Sequence, residues 1–106
     1  MIFREAGGNQ LLRASTSIVL NLAEGAGEFS PREKARFYRL SRRSGTECAA
    51  ILDVCRKLRL LAIERYMSGR EDLLRVVSML VRMIRNAEES GRGTGTKRNW
   101  AATETR

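Results

Sequence analysis

Asn21-Leu22-Ala23-Glu24-Gly25-Ala26-Gly27, followed at once by Glu28-Phe29-Ser30-Pro31-Arg32-Glu33, is the stretch whose reading decides the fold. It closes one helix and opens another within a few residues. Gly25 and Gly27 read as a helix stop, because glycine takes the left-handed C-terminal conformation without strain. Ser30 reads as the N-cap of the next helix and Pro31 as a residue suited to its first turn. Glu33 stands where it can reach back and complete a capping box.

Upstream of this joint, Leu11, Ser15, Ile18 and Leu22 recur at helical spacing, flanked by Leu12, Val19 and Ala23, which predicts a helix over residues 9 to 24. The small residues Ala14, Ser15 and Ser17 let a neighbouring helix come close. Downstream, Phe37, Ser41, Ser44, Cys48, Ile51, Cys55 and Leu58 step by three or four, with Leu40 beside the line. One apolar stripe sustained this far predicts a long helix from Pro31 to about Leu60. Gly45 inside it costs about 1 kcal/mol relative to alanine. Leu60-Leu61-Ala62-Ile63 holds neither glycine nor proline, so periodicity does not locate the end of this helix.

A third helix is predicted over residues 64 to 88. Tyr66, Arg70, Leu73, Val77, Leu80, Ile84 and Ala87 form its seam, with Arg70 out of character. Val76, Met79 and Met83 form a second apolar line. A three-helix unit has little use for two such lines, so a further helix or another subunit is expected to cover this one. From Ser90 the chain turns glycine-rich and basic, which predicts a disordered tail over residues 90 to 106. The expected organisation is a short N-terminal segment (1 to 8), a helical domain (9 to 89) and that tail.

A chain of 106 residues with 42% apolar residues supports one domain with a small core. No apolar run approaches the roughly 20 residues that span a bilayer. Arg4, Glu5 and paired glycines stand where a secretory signal carries its apolar segment, so a soluble cytoplasmic protein is expected. Cys48 and Cys55 lie seven apart on one helix face, roughly 10 Å along the axis. A disulfide needs Cα atoms about 4.4 to 6.8 Å apart, so reduced core thiols are expected.

Catalysis is poorly served. The chain has no histidine, the cysteines have no carboxylates at ligand spacing, and Ser15, Ser17, Ser41 and Ser44 have no base partner in the pattern. The glycines at 25 and 27 lack both the preceding strand and the Gly-Lys-Ser of a phosphate loop. No enzyme activity, metal or cofactor is expected.

The formal charge is +8, and 17 of the 20 basic residues are arginines. Guanidinium groups bind oxyanions in a planar fork, although a GC-rich genome produces the same bias. Within the long helix Arg32, Arg36, Arg39 and Arg43 are spaced 4, 3 and 4 apart and share one face away from the apolar stripe, with Lys57 near the same line. This row reads as an ordinary solvated face, as a track for nucleic-acid phosphates, or as a contact for an acidic protein. Phe29 and Tyr38 are the nearby aromatics for base stacking, and Trp100 stands in the tail. So few aromatics argue against sequence-specific reading of single strands.

Arg13-Ala14-Ser15-Thr16-Ser17-Ile18-Val19-Leu20-Asn21-Leu22-Ala23-Glu24-Gly25 resembles the signature of small four-helix-bundle proteins encoded in intervening sequences of large-subunit ribosomal RNA genes. That family includes the accessory variability protein of diversity-generating retroelements. The likeness continues through Ser30, Glu33, Phe37, Tyr38, Ser44, Glu47, Cys48 and Ile51-Leu52-Asp53. It returns at Glu64-Arg65-Tyr66 and Val77-Ser78-Met79-Leu80, covering roughly residues 10 to 86.

The resemblance implies an all-α antiparallel helical bundle, with three helices in this chain, related to a four-helix bundle that lacks most of its first helix. It also implies a homo-oligomer, a pentamer in the family's barrel-like form, and a reverse transcriptase as a candidate partner. Of the carboxylates in the likeness, Glu24 and Glu47 read as structural, bonded to arginine or to backbone N–H groups, with acid–base work as the alternative. Arg13 and Glu47 are expected to form a partly buried pair between helices. Asn21 reads as a local helix-end bond, with substrate contact as the alternative. The expected function is non-enzymatic binding of RNA or DNA backbone through the arginine row, with a scaffold for an acidic protein partner as the other reading.

Overall fold

The structure, a computed structural model, describes the backbone of residues 8–104 and the side chains of residues 8–92. It is all-α, with α1 at Asn9–Ala26, α2 at Pro31–Lys57 and α3 at Ile63–Glu104. The expected N-terminal segment, apart from Gly8, and the side chain of Trp100 lie outside the described residues. α2 is the middle element and packs along both neighbours. α1 and α3 have no close backbone approach among the described residues and meet through side chains.

The joint between α1 and α2 forms where expected, by different means. Gly27 ends α1 with right-handed angles (φ −86°), its N–H donating to the carbonyls of Ala23 and Glu24. No described glycine has a positive φ, so left-handed freedom is not what these glycines supply. Gly25 is inside α1 and buried against α2. A Cβ placed there would lie 2.6 Å from Tyr38 Cε1 and 3.2 Å from Phe37 Cβ. Only a residue without a side chain lets the two helices come this close. The α1 carbonyls are capped instead by Lys34, whose Nζ donates to Gly25 O (3.3 Å) and Ala26 O (3.2 Å). A cation there also opposes the negative end of the helix dipole.

Ser30 caps α2, its Oγ accepting from the Glu33 N–H at 3.3 Å, and Pro31 occupies the first turn. Half of the capping box is present. The Glu33 carboxylate turns outward to Arg36 rather than back to the cap.

α2 ends three residues before the expected Leu60. Leu60 N–H donates to Cys55 O and Arg59 N–H to Arg56 O, the paired bonds of a Schellman motif. The left-handed residue is Arg59, with φ 60°. The stop is hidden from sequence because an arginine holds the place where glycine is usual.

α3 continues beyond residue 88, where the sequence reading stopped it and began a disordered tail. Ser90, Gly91 and Arg92 are helical, and a Cβ at Gly91 would lie 3.5 Å from Pro31 Cβ. Packing on the first turn of α2 keeps helical a segment whose own propensity is poor.

The core forms two clusters. Ala14, Ile18 and Cys48 gather Leu11, Ile51, Leu73 and Val76; Tyr38, Leu80 and Ile84 gather Leu22, Val76 and Met83. Between α1 and α2 the contact is small and polar. Fully buried Ser41 donates its Oγ hydrogen to Ile18 O at 2.8 Å, and Ser17 Oγ meets Ser44 Oγ at 2.7 Å. Gly45 faces the other side, where an added Cβ would lie 3.1 Å from Val77 Cγ2. Its helix-propensity cost is offset by the close approach of α3.

Candidate functional site

Residues four, three and four apart on α2 fall within an arc of about 60° at 3.6 residues per turn. Arg32, Arg36, Arg39 and Arg43 therefore share one strip, and Lys57 continues it near the end of α2. All five are exposed, on the side opposite buried Cys48. The strip is partly neutralised from within. Arg36 Nε donates to Glu33 Oε1 at 3.0 Å, and its guanidinium lies 4.4 Å from the centre of the Phe37 ring. Arg39 Nη1 donates to Glu88 Oε2 on α3 at 2.9 Å. Arg32, Arg43 and Lys57 make no ion pair among the described residues. Exposed pairs of this kind contribute about 0 to 1 kcal/mol, so Arg36 and Arg39 exchange partners at little cost.

The two aromatics expected near the row separate, and the ring that touches it is Phe37. Tyr38 is buried in the core, whereas Phe29 is 98% exposed at the turn before α2. Phe29 thus leaves its ring open to solvent two residues before α2, and Tyr38 is lost to packing.

Other expectations land differently. Arg13 and Glu47 border one groove between α1 and α2 with Gln10, Ala14, Ser17 and Ile51, but both are exposed and form no ion pair. Water solvates each charge, so the expected partly buried pair does not form. Glu24 is exposed as well. Asn21 makes the expected local bonds, its Nδ2 donating to Ser17 O (2.9 Å) and Ser17 Oγ (3.1 Å). Those bonds tie it into the Ser17–Ser44 contact between helices.

The line expected to need another subunit is largely covered by the chain itself. Val76 packs on both core clusters and Met83 on the Tyr38 cluster, while Met79 is half-buried. A helix that serves two neighbouring clusters needs more than one apolar line. The most exposed apolar side chains are elsewhere, among them Leu12, Val19 and Leu20 on α1, Val54 on α2, Phe29 and Leu58 at its two ends, and Met67 and Leu74 on α3.

A second polar group sits at the far end of the α2–α3 contact. The Tyr66 hydroxyl donates to Asp53 Oδ1 at 2.7 Å, and Arg70 Nη1 lies 4.0 Å from the same oxygen. The hydrogen bond to Asp53 raises the Tyr66 pKa above its ordinary value, with desolvation and the Asp53 charge adding to it. Arg70, out of character on an apolar seam, is exposed there beside Asp53. Both cysteines are free and buried. Burial raises both thiol pKa values, and the Glu47 charge adds to the rise at Cys48. At neutral pH they stay protonated and poorly nucleophilic.

Lys34, Glu88 and Arg92 escaped the sequence reading. Lys34 reads as one more surface cation until its contact with the α1 carbonyls is seen. Glu88 is 49 positions from Arg39, and no spacing rule joins them. No described helix is long and apolar enough to cross a membrane, and no three His, Cys, Asp or Glu side chains gather among the described residues.

A family model described as 23S rRNA-intervening sequence protein matches residues 5–82. No curated protein and no solved structure matches the chain.

Proposed function

The chain belongs to the 23S rRNA-intervening sequence protein family, and from that premise we propose that it is a non-enzymatic, oligomeric cytoplasmic protein that binds nucleic-acid backbone. Arg32, Arg36, Arg39 and Arg43 make the contact with RNA or DNA, and Lys57 extends it. In this reading the protein serves a nucleic-acid-handling partner such as a reverse transcriptase. The observation that carries the proposal is the strip itself: four exposed guanidinium groups along one arc of a rigid helix, with Arg32 and Arg43 lacking any acidic partner among the described residues. Guanidinium groups held in register on a helix meet successive phosphates without ordering a loop. Gathering several copies multiplies the strip.

Titration of labelled single-stranded RNA and DNA at two salt concentrations tests this. Binding to these single strands should weaken with salt by about 0.7 logarithmic units per decade for each phosphate neutralised. Replacing the four arginines by glutamine should abolish it while the helical circular-dichroism signal is kept. Absence of binding at low salt refutes the proposal and favours an acidic protein as the partner of the strip.

A further inference from the structure

Pro31, Arg32, Ala35 and Arg39 of α2 face Ala87, Glu88, Gly91 and Arg92 of α3 across a groove of about 500 Å³. Three guanidinium groups and one carboxylate line it, a local charge of +2. The first turn of α2 opens beside it, which adds the positive end of a helix dipole. The backbones are close at this point, since Gly91 lies against Pro31. Arg92 is therefore brought to Arg32 by packing, and the groove is a feature of two helices rather than of the row on α2. Its one carboxylate is held by Arg39, at 2.9 Å, with both side chains a little over two-fifths exposed.

We infer that this groove is a phosphate cleft of the nucleic-acid interface, that Arg92 is a contact residue in it, and that Glu88 is its resident counter-ion. This rests on reading the arginine row as that interface. In the free protein the Glu88 carboxylate occupies Arg39. A strand phosphate entering between Arg32 and Arg92 offers Arg39 a second anion and displaces Glu88 into water, which the half-exposed pair permits. Glu88 thereby lowers affinity for any anion too weak to replace it and makes Arg39 engage after the unpaired Arg32.

The full chain is titrated with a short fluorescein-labelled RNA by anisotropy over a series of NaCl concentrations, as wild type and as Glu88→Gln, Arg92→Gln and Glu71→Gln. Glu71 is on the same helix, roughly 25 Å away at 1.5 Å per residue, and controls for net charge alone. Glu88→Gln should tighten binding at fixed salt more than Glu71→Gln does. Arg92→Gln should make the dependence of log K on log salt shallower by about 0.7. Glu88→Gln indistinguishable from Glu71→Gln, or Arg92→Gln with an unchanged slope, overturns the inference while leaving the wider interface standing, provided Arg36→Gln and Arg43→Gln still weaken binding. A wild type that binds no RNA sinks the wider reading and this one with it. Tripolyphosphate competing as well as RNA at equal phosphate concentration would remove the strand as the occupant. Unchanged helical circular dichroism in each variant ties the changes to contact.

Discussion

Gly25 and Arg59 show how much one backbone position decides. Gly25 lies against the Tyr38 ring, where an added methyl would overlap two ring carbons at 2.6 and 2.8 Å. Gly25→Ala gains about 1 kcal/mol of helix propensity and incurs about 1 to 3 kcal/mol of overpacking. The expected result in urea denaturation is a lower midpoint with an unchanged m-value. A higher midpoint would mean that the ring moves aside freely. Arg59 is the opposite case. Its φ of 60° costs a side-chain-bearing residue roughly 1 to 2 kcal/mol, part of which glycine's greater unfolded-state freedom cancels. Arg59→Gly should therefore stabilise the chain by about 0.5 to 1 kcal/mol, seen as a higher melting temperature. An unchanged or lower value would show that the Arg59 side chain itself stabilises the turn.

At the scale of elements, α2 is held to each neighbour by different chemistry. Toward α1 the contact is buried serine. Ser41→Ala removes the bond from Oγ to Ile18 O and opens a small void, and should destabilise by about 1 to 2 kcal/mol in chemical denaturation. Toward α3 the far end is fastened by Tyr66 and Asp53. The bond needs the phenol protonated, and it raises the folded-state pKa above the ordinary value of 10.0. A group raised on folding contributes its stability in full below the unfolded value and loses it as pH climbs through the folded one. The contribution of Tyr66 is thus present at neutral pH and disappears in alkali above about pH 10. Subtracting the Tyr66→Phe absorbance titration near 295 nm from the wild-type curve should isolate a phenol that ionises above the unfolded tyrosine. Coincident midpoints would show that the bond does not persist in solution.

Sequence periodicity located these elements well and their faces less well. The α2 stripe placed Phe37 on the seam, yet Tyr38 is the buried ring, and Leu58, expected at the end of the stripe, is 63% exposed. One period describes one buried face. α2 lies between two helices and buries two, so Tyr38, Gly45 and Leu52 join a seam that the spacing drew too narrowly.

For the whole molecule, Val76 and Met83 pack on the chain's own core and Met79 is half-buried, whereas uncovered apolar side chains occur on all three helices. Leu12 and Val19 lie seven apart, two turns along one face of α1, and are 65% and 61% exposed. If copies assemble as proposed, that face is the place to look. Replacing both Leu12 and Val19 by glutamate should lower the solution mass measured by light scattering, whereas Met83→Leu, a swap of similar volume at a half-buried position against the core, should leave it unchanged. A wild type with the mass of one chain would remove the assembly from the proposal.

The order of residues was sufficient for the helical class, three apolar segments, the capped start of α2, the arginine row and the family. Each of these depends on neighbours a few positions apart, where helix geometry alone sets the distances. Tertiary structure alone decided that Gly25 serves packing, that an arginine closes α2, that Lys34 caps α1, and that Glu88 and Arg92 share a groove with Arg32 and Arg39. Those outcomes depend on which helix lies against which and how closely, and residues 49 apart acquire a 2.9 Å contact only after the backbones have packed.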